Sequence, residues 1–199
     1  MDRIFLIGRD EVPQSVHLAA GESLKWTFLV LPGTQADVLT EICIDGEGCE
    51  VDIAGLYLCT RPGNVGFNVR VRHNAGNGIS RQLFKGIVAE GAKAVFDGLI
   101  YVRRGSLKTK AYQENHTVLL SQDARVETSP QLEIYADDVE CSHGATTGYL
   151  NPEELFYMRS RGIDGADARR LQIISFLAPV AERLPDELKS AVYESLSEC

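Results

Sequence analysis

Basic charge is what this sequence is short of. Against 28 aspartates and glutamates stand 20 lysines and arginines, a net charge of −8. No basic tract stands out, and phosphate contact needs a basic face, so nucleic acid is not an expected partner. Long apolar runs are missing as well. A membrane span needs roughly 18 or more consecutive apolar residues. The longest candidate, IISFLAPVA, is broken by Ser175 and Pro179, so no membrane partner is expected. The N-terminal MDRIFLIGRDEVPQ does not read as a signal peptide, because its apolar run IFLIG is short and flanked by charges. The expectation is a soluble, cytoplasmic protein.

Cysteine is sparse and odd in number: Cys43, Cys49, Cys59, Cys141 and Cys199. With no secretory signal and no C-x-x-C, neither a disulfide framework nor a zinc knuckle is expected. Cys43, Cys49 and Cys59 read as small core hydrophobes. The glycine-rich HNAGNG lacks the G-x-x-x-x-G-K-[ST] pattern of a phosphate loop and no helix follows it, so this chain is expected to bind no nucleotide.

What is present divides at residue 150. Residues 1–150 carry short runs of period two, the mark of strands with one buried face. CEVDIAGLYLC sets Val51 and Ile53 against Asp52 and Ala54. GFNVRVRHN sets Phe67, Val69 and Val71 against Asn68, Arg70 and Arg72. NHTVLLSQDARVETS and QLEIYADDVEC continue the pattern, with turn clusters TRPGN, HNAGNG, EGAK, RRGS and SPQ between runs. AKAVFD (92–97), ARVETS (124–129) and DDVECS (137–142) can be laid over one another, an inward Ala or Val third and a small or apolar residue fifth. Such a pattern suits a β-solenoid as well as a sandwich.

Residues 151–199 change period. Asn151, Pro152 and Glu154 mark a helix start, and Gly162 its stop. Asp164 caps a second helix with Leu171, Ile174, Leu177 and Val180 as its stripe and Pro179 as a kink or early end. A third begins at Pro185, with Leu188, Val192 and Leu196 on one face. Three short helices do not easily bury such stripes alone, so they are expected to pack on the β part or on a partner.

The chemistry-bearing stretch is ADDVECSHGATTG, residues 136–148. Cys141 and His143 stand two apart, on one face if the segment is a strand. Thiolate and imidazole suit zinc, iron or an iron–sulfur cluster, yet two ligands complete no site. The residues equally allow a buried thiol beside a hydrogen-bonded histidine. A Cys–His hydrolase is disfavoured, since Asp137, Asp138 and Glu140 would raise the thiol pKa. Those acids lack EF-hand spacing and read as a solvated strand edge. His73 and His116 read as structural.

TSPQLEIYADDVECSHGATTG followed by LFYMRSRGI closely resembles the SufB/SufD family of iron–sulfur assembly scaffolds, nearer its SufD branch, and KTKAYQENHTVLLS resembles the preceding strand. The likeness is strong over about residues 108–163 and looser from 50 to 107. It implies a mostly β fold, a right-handed parallel β-helix over 1–150, with a small helical domain over 151–199 that docks a SufC-like ABC ATPase. It implies a scaffold rather than an enzyme. A transient cluster would form at a subunit interface, with His143 and Cys141 as candidate ligands. By the same resemblance Leu155, Phe156, Tyr157, Arg159, Arg161 and Ile163 are candidates for ATPase docking. Leu132, Ile134, Tyr135 and Val139 are candidates for a dimer interface. Family members are usually about twice this long, so a shortened scaffold would pair with itself or with a SufB-like subunit. Two alternatives are a paralogue that binds the ATPase without a cluster and a metal-dependent enzyme on a β-helix.

Overall fold

A computed structural model describes residues 1–60 and 63–196; Arg61 and Pro62 of the TRPGN turn, and Cys199, lie outside them. Eleven strands precede three helices among the described residues. The strands are β1 (Asp2–Leu6), β2 (Ser15–Leu18), β3 (Ser23–Val30), β4 (Ala36–Ile44), β5 (Glu50–Cys59), β6 (Asn64–His73), β7 (Ile79–Val88), β8 (Lys93–Val102), β9 (Thr109–Leu119), β10 (Arg125–Ile134) and β11 (Val139–Gly148). The helices are α1 (Pro152–Ser160), α2 (Gly165–Ala181) and α3 (Asp186–Ser195).

Odd-numbered strands form one sheet, ordered β1-β3-β5-β7-β9-β11, and even-numbered strands the other, ordered β10-β8-β6-β4-β2. Each strand runs parallel to the strand one turn before it. This is a parallel β-solenoid, as the resemblance implied, and not a sandwich of hairpins. Ala94 pairs with Val126 and Phe96 with Thr128, so two of the three self-similar segments are successive turns. The third lies in the other sheet.

Between the sheets, inward side chains stack into columns. Phe5, Trp26, Phe28, Phe67, Phe84 and Phe96 form an aromatic file, with Phe67–Phe84 and Phe84–Phe96 centroids 5.2 and 4.8 Å apart. Burying each such side chain contributes about 1.5–3 kcal/mol. Gly86 lies against the Tyr57 ring, where any Cβ would overlap it. The Tyr57 hydroxyl, held in the interior, is 2.6 Å from Thr117 Oγ1 and 3.2 Å from Asn115 Oδ1. Cys43, Cys49 and Cys59 are buried and unpaired, as expected of small core hydrophobes.

A second apolar cluster covers the outer face of the odd sheet. Ala54, Leu56 and Leu58 of β5, with Ile87 and Val118, meet Ile173, Leu177, Val180, Leu184 and Val192 of the helical segment. That explains why the β5 run is apolar on both faces. Arg183 Nη1 reaches Asp52 Oδ1 at 2.8 Å, and Lys85 Nζ lies 4.4 Å from the Phe176 ring centroid. The helical segment thus shares a core with the solenoid. Asn151 accepts from the Glu153 and Glu154 N–H groups and Asp164 from Ala166. Pro179 sits in the last turn of α2, which ends at Ala181.

Three expectations are corrected. SPQ is no turn: Ser129, Pro130 and Gln131 lie inside β10, which tolerates Pro130 because it is an edge strand. QLEIYADDVEC is no single strand: β10 ends at Ile134 and β11 starts at Val139 in the other sheet. The α2 stripe is rotated: Ala168, Ile173, Leu177, Val180 and Ala181 are buried, whereas Leu171 is 48% exposed.

His73 is fully buried at the end of β6, with Nε2 2.8 Å from Ser80 Oγ. Burial pushes its pKa down from 6.5 to about 4. As pH falls the unfolded chain therefore takes up a proton before the folded one, so stability is full above 6.5 and declines toward 4. Unfolding free energy from urea titrations should drop by about 2 kcal/mol between pH 7 and pH 5 through this residue. The drop should be smaller by that amount in His73→Gln; equal drops in both proteins would overturn the assignment.

Candidate functional site

The last two strands leave one end of the solenoid open. Among the described residues nothing pairs with β10 or β11 on the side away from β8 and β9. In parallel ladders successive residues point their backbone groups to opposite neighbours. Tyr135 N donates to Val102 O at 2.9 Å and Arg125 N to Ala92 O at 3.0 Å. The intervening even-numbered residues of β10 therefore face the open edge. Pro130, which has no N–H, falls on that side.

Cys141 and His143 share the inner face of β11, opposite Ala111 and Gln113 of β9. Cys141 is half-buried and packs with Val139 and Leu132 against Ile100, Val102 and Ala111. Burial, then the Glu140 charge, raises its thiol pKa, while a backbone hydrogen bond from Ala111 opposes this. A thiol so placed is a poor nucleophile, which removes support from a Cys–His hydrolase. His143 is exposed because no further turn covers it. Glu140 points outward, accepting from the Tyr112 hydroxyl and pairing with Lys110 Nζ at 3.2 Å. Asp137 and Asp138 are exposed in the connecting turn. Among the described residues no group of three or more His, Cys, Asp or Glu is placed to hold one ion. The open end offers two soft donors and no complete ligand shell.

Of the four histidines, only His143 makes no side-chain hydrogen bond among the described residues. His17 Nδ1 meets Asp45 Oδ2 at 2.6 Å, and His73 meets Ser80. His116 meets Thr146 Oγ1 at 2.7 Å and Glu114 Oε2 at 3.2 Å.

Beneath His143 the interior becomes polar. The column Trp26–Ile53–Gln82–Gln113–His143 is in register across five strands. Gln113 Nε2 donates to Gln82 Oε1 at 3.1 Å, and Asn115 Nδ2 donates to Thr128 Oγ1. A Cβ at Gly98 on β8 would collide with the Gln113 amide. Sequence reasoning missed this polar interior. The only signal was the inward phase of KAYQENHT (Ala111, Gln113, Asn115, Thr117), which no hydrophobic alternation distinguishes from the outward phase.

The dimer candidates divide. Leu132 and Val139 are half-buried at the open end, and Ile134 is exposed there. Tyr135 lies outside, its ring 5.6 Å from Tyr101. The docking candidates lie on and just after α1, which has no buried residue. Phe156 and Tyr157 are 75% and 59% exposed, Arg159 and Arg161 are exposed, and Leu155 and Ile163 are half-buried. A groove of about 890 Å³ runs between α1 and α2, lined by Tyr157, Met158, Leu171 and Phe176 among others. Leu171 belongs to this surface and not to the core stripe. No helix among the described residues is long and apolar enough to cross a membrane.

Comparison with known proteins identifies the domain. The family described as "SUF system FeS cluster assembly, SufBD core domain" matches residues 12–176, well upstream of the region where the likeness was first legible. Iron–sulfur cluster assembly protein SufD of Escherichia coli is 43% identical over 148 residues, covering 74% of this chain and 35% of the relative. SufD of Bacillus subtilis is 40% identical over 102 residues, 51% of this chain and 23% of the relative. Protein ABCI7, chloroplastic, of Arabidopsis thaliana is 34% identical over 181 residues, 84% of this chain and 38% of the relative. The chain spans no more than 38% of the length of any of the three. The chain belongs to the SufBD core-domain family of SUF-system iron–sulfur cluster assembly proteins and is SufD-like.

Proposed function

We propose that this chain is a scaffold subunit of a Suf-type cluster assembly complex, working with a SufC-like ABC ATPase and with a SufB-like subunit or a second copy of itself. It acts as a scaffold and not as an enzyme in its own right. The observation that carries the reading is the open solenoid end, where a family member presents His143 beside Cys141, with no side-chain hydrogen bond to His143 and no third ligand among the described residues. One chain offers too few soft donors to hold a nascent cluster tightly. A shell shared between two chains can open, which lets the cargo be handed on. Nucleotide-driven movement of the ATPase, docked on α1, would bias that opening.

The docking surface is tested by point substitution, because removing residues 151–199 would strip the cover from Leu56, Leu58 and Ile87. Phe156→Ala and Tyr157→Ala together should weaken co-purification with the ATPase at least about tenfold, as loss of exposed aromatic anchors does, while thermal unfolding stays near wild type. Full retention of the ATPase would refute the assignment.

For the solenoid end, proline at Tyr135 is unsuitable, since its N–H is already given to Val102. Ile134→Pro removes a donor from the open edge only. Sedimentation should show weakened pairing of Ile134→Pro with its partner chain, self or SufB-like; unaltered pairing would exclude this edge as the contact.

His143→Ala should abolish or strongly reduce cluster formation in the anaerobically assembled complex, with fold and partner binding intact. Cys141→Ser should be equally severe if the thiol ligates, and mild if it only packs. Iron and sulfide content with visible absorption are the measurements. Normal loading in His143→Ala would leave a structural, ATPase-binding paralogue as the reading.

A further inference from the structure

The interior column that ends at His143 carries an amide ladder with its last step unfilled. Gln82 and Gln113 are buried register partners, and Gln113 Nε2 donates to Gln82 Oε1 at 3.1 Å. Each amide keeps one buried group without a partner: Nε2 of Gln82 and Oε1 of Gln113. Stacked amides in a parallel sheet repeat one direction, each donating to the strand before it. The ladder therefore runs toward the open end, and its last carbonyl calls for a donor on β11. The residue at that place is His143, the register partner of Gln113 with its side chain on the same inner face. Neighbouring strands lie about 4.8 Å apart, a spacing across which the stacked side chains of register partners hydrogen-bond, as Gln113 and Gln82 do. Gly98 lets the Gln113 amide lie against the β8 backbone, close by both its nitrogen and its oxygen, which confines the amide at the register position next to His143.

We propose that Gln113 is the positioning residue of His143, its Oε1 accepting one ring N–H when the solenoid end is covered, so that the other ring nitrogen offers its lone pair outward to iron. A neutral imidazole has one N–H and one lone pair, and the hydrogen bond made by one nitrogen sets the role of the other. Histidines that ligate metals donate their second N–H to a carbonyl or carboxylate in this way. In the single chain His143 can be served by water. A partner seated on the end excludes that water, and Gln113 Oε1, on the register partner of His143, is a buried acceptor without a partner. The proposal rests on the scaffold reading and names the residue that would orient its ligand.

The test uses the chain with its partners and an anaerobically assembled cluster. Gln113→Met keeps the side-chain length and removes the acceptor. Gln113→Glu keeps an acceptor. Gln82→Met breaks the amide pair without touching His143. Two readouts are taken: the rate of cluster loss to an iron chelator, and the ¹⁵N shifts of the His143 ring in the cluster-free complex, assigned by their disappearance in His143→Ala. Gln113→Met should hasten cluster loss by about 10- to 100-fold and turn one ring tautomer into a mixture. Gln113→Glu should stay near wild type, and Gln82→Met, which leaves the acceptor in place, should lose cluster more slowly than Gln113→Met. Where Gln113→Met does not fold, Gln113→Asn, whose carbonyl is drawn back by one methylene, carries the same expectation. Wild-type retention and a single tautomer in Gln113→Met would overturn the proposal. So would an equal loss in Gln82→Met, which would assign the effect to packing. Full cluster loading in His143→Ala is a separate failure, that of the ligand reading beneath it.

Discussion

The in-register parallel ladder is the constraint on which the rest depends. Because each strand lies directly over the strand one turn earlier, a residue's neighbours in space are set by its place in the turn. Like stacks on like at several places: Phe5 on Phe28, Phe67 on Phe96, and the amide of Gln82 on that of Gln113. The same ladder cannot satisfy its own last strands. Among the described residues nothing pairs with the outer edges of β10 and β11, so the fold itself creates a surface that calls for a partner. The candidate site lies on that surface.

The interior is graded along the solenoid. Trp26 and Phe28 anchor an apolar beginning, and Gln82, Gln113, Asn115 and Thr117 line the end toward β11. Buried polar groups are tolerated there because most pair with one another, as Tyr57 does with Thr117 and Asn115 with Thr128. A polar interior under an exposed imidazole can orient that ring, which an apolar one cannot. The helical segment solves a different problem. α2 and α3 cover the apolar outer face of β5 and β7, which leaves α1 free of the core with Phe156 and Tyr157 turned to solvent. Among the described residues the β10–β11 end of the solenoid and the α1 groove are thereby separate surfaces.

Local patterning by itself determined the strand content, the change to helix after residue 150, the caps at Asn151 and Asp164, the burial of Cys43, Cys49 and Cys59, and the placement of Cys141 and His143 on one face. Each depends on residues within one strand or one helical turn, where period and capping chemistry act directly. Only the tertiary structure decided that EIYADDVEC is cut between two sheets, that Pro130 sits within an edge strand, and that Leu171 turns outward. It also decided that Gln113 lies beneath His143. Those outcomes depend on which turn stacks on which and on what covers each face. Turn length and the packing of α2 set that stacking, and no local alternation encodes it.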